Sequence, residues 1–166
     1  MVTKVNGTTG VDKIQNGVVT LDNLSSSANS SLTESKAFRV SLTTSPTVSS
    51  GNPIVWNNVV NDTESAFNTS TGQYTIPTTG YWFFHLVITS ASAQGTPYFY
   101  IALGGSRWRD LIESLSWTTN TERHASTLLY CTQGQVLTTC VNGTSFTVQG
   151  GDEGYHSNWQ GFYLGN

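Results

Sequence analysis

Charge is scarce in this chain: Asp, Glu, Lys and Arg together make up only 10% of its 166 residues. A helical bundle or coiled coil covers its wet faces with charged, straight-chain side chains, and this composition cannot supply them. Positive charge is the scarcer sign, with 7 Lys and Arg against 10 Asp and Glu and a net charge of −3. Nothing in that balance draws the chain to nucleic acid or to an anionic membrane. Long apolar runs are missing too, so no segment reads as a membrane-spanning helix, and Met1 to Gly7 lacks the apolar stretch of a secretory signal. The expectation is a soluble chain without an evident export signal.

Catalytic motifs are also wanting. Gly104-Gly105-Ser106-Arg107-Trp108 does not form the Gly-x-Ser-x-Gly elbow of a hydrolase, and His-Glu-x-x-His does not occur. There is no phosphate loop and no dinucleotide fingerprint. Asp110 and Glu113 read as a solvated charged turn rather than a catalytic carboxylate pair. His85, His124 and His156 fall on separate predicted elements, and no spacing joins them. The expected function is binding, not catalysis.

What the chain has in quantity is hydroxyl groups and aromatic rings: Ser and Thr fill 45 positions and aromatics make up 11%. That composition suits β structure with hydroxyl-rich loops. A chain of 18.0 kDa favours one domain, burying roughly 70% of its unfolded surface.

Residues 1–36 differ in kind from the rest. They hold all 3 lysines, no aromatic residue, and a Ser/Asn cluster from Ser25 to Ser31. Such a segment buries little surface alone, so it is either a disordered tail or a stalk that gains order by packing against copies of itself. From Ala37 onward, short apolar runs alternate with Gly, Pro, Asn and Ser clusters. Strands are predicted near 37–43, 53–60, 73–76, 80–89, 97–103, 125–132, 136–141, 145–148 and 158–164, with loop or a single turn at 109–113.

The run Tyr81-Trp82-Phe83-Phe84-His85-Leu86-Val87-Ile88 is apolar on both faces of a strand. If one face meets the core, Tyr81, Phe83, His85 and Val87 face outward and need cover. Tyr98 to Leu103 repeats the pattern, and two such strands side by side would expose an apolar patch larger than a monomer usually shows. Another subunit is the predicted cover, with a loop or the N-terminal segment as the alternative.

Ala37-Phe38-Arg39-Val40 and Pro53 to Asn61 resemble the opening strands of the complement component 1q and tumour necrosis factor superfamily. Phe67-Asn68-Thr69-Ser70-Thr71-Gly72-Gln73-Tyr74-Thr75-Ile76-Pro77-Thr78-Thr79-Gly80-Tyr81-Trp82-Phe83-Phe84 is similar to the superfamily's aromatic, Asn, Thr-Gly, aromatic-Thr, Pro, Gly signature. Leu129 to Leu137 resembles a later hairpin, and Trp159 to Leu164 the closing strand. The resemblance implies an all-β, ten-stranded antiparallel jelly-roll sandwich over 37–166, assembled as a homotrimer. Gln135 stands where an Asp is usual and Val87 where a histidine is frequent, so roles tied to those positions do not carry over. Separately, Gly10 to Leu24 resembles connecting segments of bacteriophage fibres, with Val11, Ile14, Val18 and Leu21 placed to wrap a common axis.

Three loop aromatics, Trp108, Trp117 and Tyr155, are the ligand candidates, because an aromatic face stacks on a sugar ring; burial in the core is the alternative for each. In the resembling superfamily the loops far from the stalk meet ligands or calcium. Asp152, Glu153 and His156 are the corresponding weak metal candidates, with a solvated acidic loop as the alternative. Cys131 and Cys140 flank a turn at Gln133-Gly134, and a hairpin about that turn separates their sulfurs along the strands, predicting two free thiols. Free thiols suit assembly in a reducing cytoplasm. The expected role is a virion surface protein, a tail-fibre tip or capsid-fibre head, joined to other virion proteins through residues 1–36 and binding a host glycan. The alternative is a secreted bacterial or eukaryotic adhesin or signalling head.

Overall fold

Alternation of apolar and polar side chains writes most of the strands. The computed structural model describes residues 36–113, 115–151 and 156–166. The expectations for the stalk, including Val11, Ile14, Val18 and Leu21, lie outside the described residues. In chain order the strands are β1 (Ala37–Ser41), β2 (Thr47–Val48), β3 (Asn58–Asp62), β4 (Phe67–Asn68), β5 (Gln73–Thr75) and β6 (Gly80–Thr89). Then follow β7 (Tyr98–Leu103), β8 (Ser106–Ile112), β9 (Glu122–Cys131), β10 (Val136–Asn142), β11 (Phe146–Thr147) and β12 (Asn158–Gly165). No helix occurs among the described residues.

Ten of these strands make two five-stranded sheets, ordered β3-β1-β12-β6-β9 and β4-β5-β10-β7-β8, while β2 and β11 form a separate ladder. The ladders are antiparallel throughout. Phe38 and Val40 of β1, Trp82, Phe84, Leu86 and Ile88 of β6, and Trp159 of β12 all turn inward and are buried. They meet Tyr74, Phe99, Ile101, Leu137 and Val141 of the opposite sheet in one core. The Phe38 ring lies 3.8 Å from that of Tyr74 and packs edge-on to Trp159 at 4.9 Å. Each such ring contributes about 1.5–3 kcal/mol by leaving water. Gly161 separates Phe38 from Phe84 in the register, and a Cβ there would meet their rings at 2.7 and 2.8 Å. The absent side chain is what lets the two rings close over β12.

The registers also orient the sandwich. Ala37 pairs with Phe162 at one end, whereas Ser41 pairs with Asn158, and Val87 with His124, at the other. Residues 42–46, 90–97, 115–121, 143–151 and 156–157 therefore lie toward the end away from Ala37.

Four expectations are corrected. The strand predicted over 53–60 begins only at Asn58. Proline has no N–H, so at Pro53 the ladder beside β10 shrinks to an isolated bridge with Cys140. Residues 109–113, read as loop or a turn, belong largely to β8, an edge strand whose charged, exposed run masks its pairing with β7. The two strands apolar on both faces do not lie side by side, because β6 and β7 are in opposite sheets. The outer face of β7 is roofed within the chain: the Arg107 guanidinium lies 4.6 Å from the Tyr98 ring centre and 5.8 Å from that of Tyr100. Lastly, β9 and β10 are not a hairpin pair. The turn between them crosses from one sheet to the other, with the Gln135 side-chain carbonyl accepting from the Thr132 N–H at 2.8 Å. Cys131 thus faces Gly80 in the core and Cys140 faces Tyr100 on the outer side of the second sheet; both thiols are free and buried.

Candidate functional site

The outward face of the first sheet carries a cluster of exposed apolar side chains. Tyr81 pairs with Tyr130, and Phe83 lies between Phe162 and Leu128, all with side chains on this face. Tyr81 is 48% exposed, Leu128 and Tyr130 are each 54%, Phe162 is 40% and Leu164 is 56%. The Tyr81 and Tyr130 rings meet edge-on at 5.2 Å, and those of Phe83 and Phe162 are tilted by 34° at 5.0 Å. Of the four residues expected here, Tyr81 is exposed and Phe83 and His85 are half-buried. Val87 is already buried, at 7% exposure, between Asn158 and His124 in the register, so within one chain it needs no further cover. Leu128, Tyr130, Phe162 and Leu164 were missing from the expectation. Their signal was present in the sequence as apolar residues two apart along β9 and β12.

Toward the loop end the same face turns polar. His85 stands between Gln160 and Ser126, and its Nδ1 shares a 2.8 Å hydrogen bond with the Ser126 hydroxyl. Its ring stacks on that of His124 at 5.7 Å, and His124 Nε2 meets the Glu122 carboxylate at 2.9 Å. The structure therefore joins two of the histidines that sequence spacing left apart. Burial first, and the neighbouring His124 second, hold the His85 pKa below the usual imidazole value. A hydroxyl beside an imidazole has the outline of a nucleophile and base, but the carboxylate that would orient such a base is bonded to His124 instead. The pair lies on an open sheet face.

Trp108 is on β8, not on a loop, and is 36% exposed at the edge of the second sheet. Beside it Arg107 grips Asp110 with two hydrogen bonds, at 2.6 and 2.5 Å, and donates to the Tyr98 hydroxyl at 3.0 Å. That hydrogen-bonded arginine holds the Asp110 carboxyl below its usual range. Tyr98, Arg107, Asp110, Ile112 and Glu113 line a shallow groove of about 190 Å³. Asp110 and Glu113 both border it, and Asp110 is committed to Arg107.

Trp117 corrects a ligand expectation. It is 2% exposed and packs against Phe99 and Phe146 at 5.6 and 4.9 Å, with the Arg123 guanidinium 5.0 Å from its ring centre. Its loop folds back to the backbone of Gln94, which brings the indole into the core. Tyr155, Asp152 and Glu153 lie outside the described residues. His156 is half-buried, and its carbonyl oxygen accepts a 3.4 Å hydrogen bond from Asn158. Among the described residues no three His, Cys, Asp or Glu side chains gather as a metal site.

Two five-stranded antiparallel sheets in this order, one with an apolar outer face, make an all-β sandwich head. The C1q domain family model matches residues 37–154, and the chain belongs to that family. The globular domain of zebrafish complement 1qA superposes with a TM-score of 0.62 at 14% identity, covering 80% of this chain and 100% of that one. Eiger TNF from S. frugiperda gives 0.60 at 15% identity, covering 80% and 94% of the two chains. Murine APRIL gives 0.60 at 8% identity, covering 79% and 100%. At these identities the likeness is one of fold. No curated protein matches the chain.

Proposed function

We propose that residues 37–166 form a homotrimeric recognition head that binds a ligand without chemically altering it. The observation carrying this reading is the outward face of β6, β9 and β12, where five large apolar side chains are 40% to 56% exposed in a single chain. A contiguous apolar patch rimmed by polar residues is an association surface. Copies arranged about a three-fold axis close such a contact upon itself, with no free face left over. Trp108, beside Arg107 and Tyr98 on the edge of the second sheet, stays outside this face and is the residue offered to a ligand. An exposed indole stacks on the apolar face of a sugar, and the adjacent guanidinium serves a carboxylate or hydroxyl neighbour.

The setting this supports best is a secreted head of adhesin or signalling type, since the family match and the fold likenesses both fall on the head. The virion-fibre reading rests on Gly10 to Leu24 alone, outside the matched span. Light scattering together with a glycan array tests the proposal. The purified protein is expected at three times the chain mass of 18.0 kDa, with a subset of glycans retained by wild type and lost by Trp108→Ala. A monomer at micromolar concentration overturns the assembly, and binding unchanged in Trp108→Ala overturns the ligand residue.

A further inference from the structure

We propose that Asn142 is a site of spontaneous covalent modification in the folded head, converting to aspartate and isoaspartate, and that the Ser50 hydroxyl promotes the reaction. Asn142 closes β10 opposite Tyr98 and is followed by Gly143, which is exposed and has a φ of 91°. The Gly143 backbone N–H donates to the Asn142 side-chain carbonyl oxygen at 2.7 Å. Only the oxygen end of the amide accepts a hydrogen bond, so this contact fixes which way the amide points. It also brings the Gly143 nitrogen to 2.7 Å from the oxygen of the carbonyl it would attack, so little rearrangement separates the two groups. From another direction the Ser50 hydroxyl donates to the same oxygen at 2.8 Å. Two donors on one carbonyl oxygen draw electron density from its carbon, and the Ser50 donor remains to stabilise the oxyanion that forms there.

The Gly143 nitrogen gives its proton to solvent base and bonds to Cγ of Asn142. The bond from Cγ to Nδ2 then breaks, the departing nitrogen takes up a proton and leaves as ammonia, and a five-membered succinimide remains. Water adds to one of the two ring carbonyls. Opening at the side-chain carbonyl restores the normal backbone with an aspartate, and opening at the main-chain carbonyl gives isoaspartate, with one more methylene in the backbone. Water enters, ammonia leaves, and nothing is oxidised or reduced. The product places a new negative charge at the loop end of the head, next to the 90–97 connection, where a Cβ on Gly143 would lie 3.1 Å from the Thr96 carbonyl oxygen.

The chain has three Asn-Gly pairs, at Asn6, Asn16 and Asn142, which act as references for one another. The full chain is incubated at mildly alkaline pH and its peptides are followed by mass spectrometry, with denatured chain as the positive control. The Asn142 peptide of folded wild type is expected to gain the mass difference between an amide and its acid, as a mixture of aspartate and isoaspartate. Ser50→Ala is expected to slow conversion at Asn142 several-fold while leaving Asn6 and Asn16 unchanged. An Asn142 that stays an amide in the folded protein while it converts in the denatured control overturns the site. An unchanged or faster rate at Asn142 in Ser50→Ala overturns the role of the hydroxyl.

Discussion

The side-chain amide of Gln94 clasps the backbone of Thr147 from both ends: Nε2 donates to the Thr147 carbonyl at 2.9 Å, and Oε1 accepts its N–H at 2.6 Å. The Gln94 backbone meanwhile pairs in both directions with Trp117, at 2.9 and 3.4 Å. One residue thus ties the 90–97 connection to Trp117 on one side and to β11 on the other. Changing Gln94 to Ala takes the acceptor from the part-buried Thr147 N–H, while the Thr147 carbonyl keeps the Ala91 N–H at 3.1 Å, so the cost is about 1–3 kcal/mol. Glutamate keeps the acceptor and loses the donor, so Gln94→Glu is expected to lower the melting temperature as well. Equal melting curves for wild type and both variants would show that the clasp adds nothing.

Trp108 and Trp117 separate by burial. Replacing Trp117 with Ala opens the core beside Phe99 and Phe146 and is expected to cost about 3–5 kcal/mol. Trp108→Ala, at a surface edge, is expected to stay within about 0.5 kcal/mol of wild type. Chemical denaturation of the two variants checks the ranking, and a Trp108→Ala protein as unstable as Trp117→Ala would assign Trp108 to the core.

How far the chain could be read follows from where its periods are clean. In β6, Trp82, Phe84 and Leu86 alternate with Tyr81, Phe83 and His85, and the structure sends the two sets to opposite faces. The Thr-Gly, Pro and Gly punctuation around β5 marks turns for steric reasons. At Gly72, for example, φ is 69° and a Cβ would lie 2.4 Å from the Ile54 carbonyl oxygen. Other parts left no local trace. Arg109 to Glu113 reads as a wet turn because edge strands carry charge. Gln133-Gly134 looks like a hairpin turn, yet it bridges two sheets, a long-range choice that short-range residue types do not record. Trp117 looks like an exposed loop aromatic because its burial depends on Gln94, Phe99 and Phe146, all distant in sequence, with Arg123 closing over the ring.

The buried thiols have a defined reactivity. Burial pushes the Cys131 thiol up to about 11, and it raises Cys140 also, so neither offers much thiolate at neutral pH. Alkylation of the native protein is expected to be slow. Denatured, unreduced protein is expected to show two reactive thiols per chain, and finding none would mean that the cysteines are bridged.

His85 makes stability depend on pH in a known direction. Its folded pKa lies below the ordinary value of 6.5, and no carboxylate is bonded to it, since Glu122 is engaged with His124. Facing it are Ser126 and His124 on β9 and Gln160 on β12, with Arg39 beyond Gln160 on β1. As pH falls through 6.5 the unfolded chain takes the proton before folded His85 does. Stability therefore rises with pH in this window: the contribution is full above the unfolded value and is lost as pH falls toward the folded one. Melting temperatures are expected to drop on acidification through this range, and to drop less in His85→Gln. Parallel curves for the two proteins would remove His85 as the cause.

The assembly reading is tested most cleanly by Leu128, because its side chain is 54% exposed in the single chain and contributes little to the core. Aspartate at that position is tolerated by a monomer, where it meets water. At the proposed subunit contact the same carboxylate would lose its water, a penalty of several kcal/mol per copy where nothing pairs with it. Leu128→Asp is therefore expected to keep the wild-type circular dichroism spectrum while light scattering falls from three times 18.0 kDa to one. Phe83 is a harsher probe, since it is half-buried against Phe162 and a charge there threatens the fold as well. Tyr130→Asp, at the same exposure as Leu128 and paired with Tyr81, repeats the test one pair along the strand. If both exposed-site variants remain trimeric, the subunit contact lies elsewhere, and the apolar face of β6, β9 and β12 would have to be assigned to another partner.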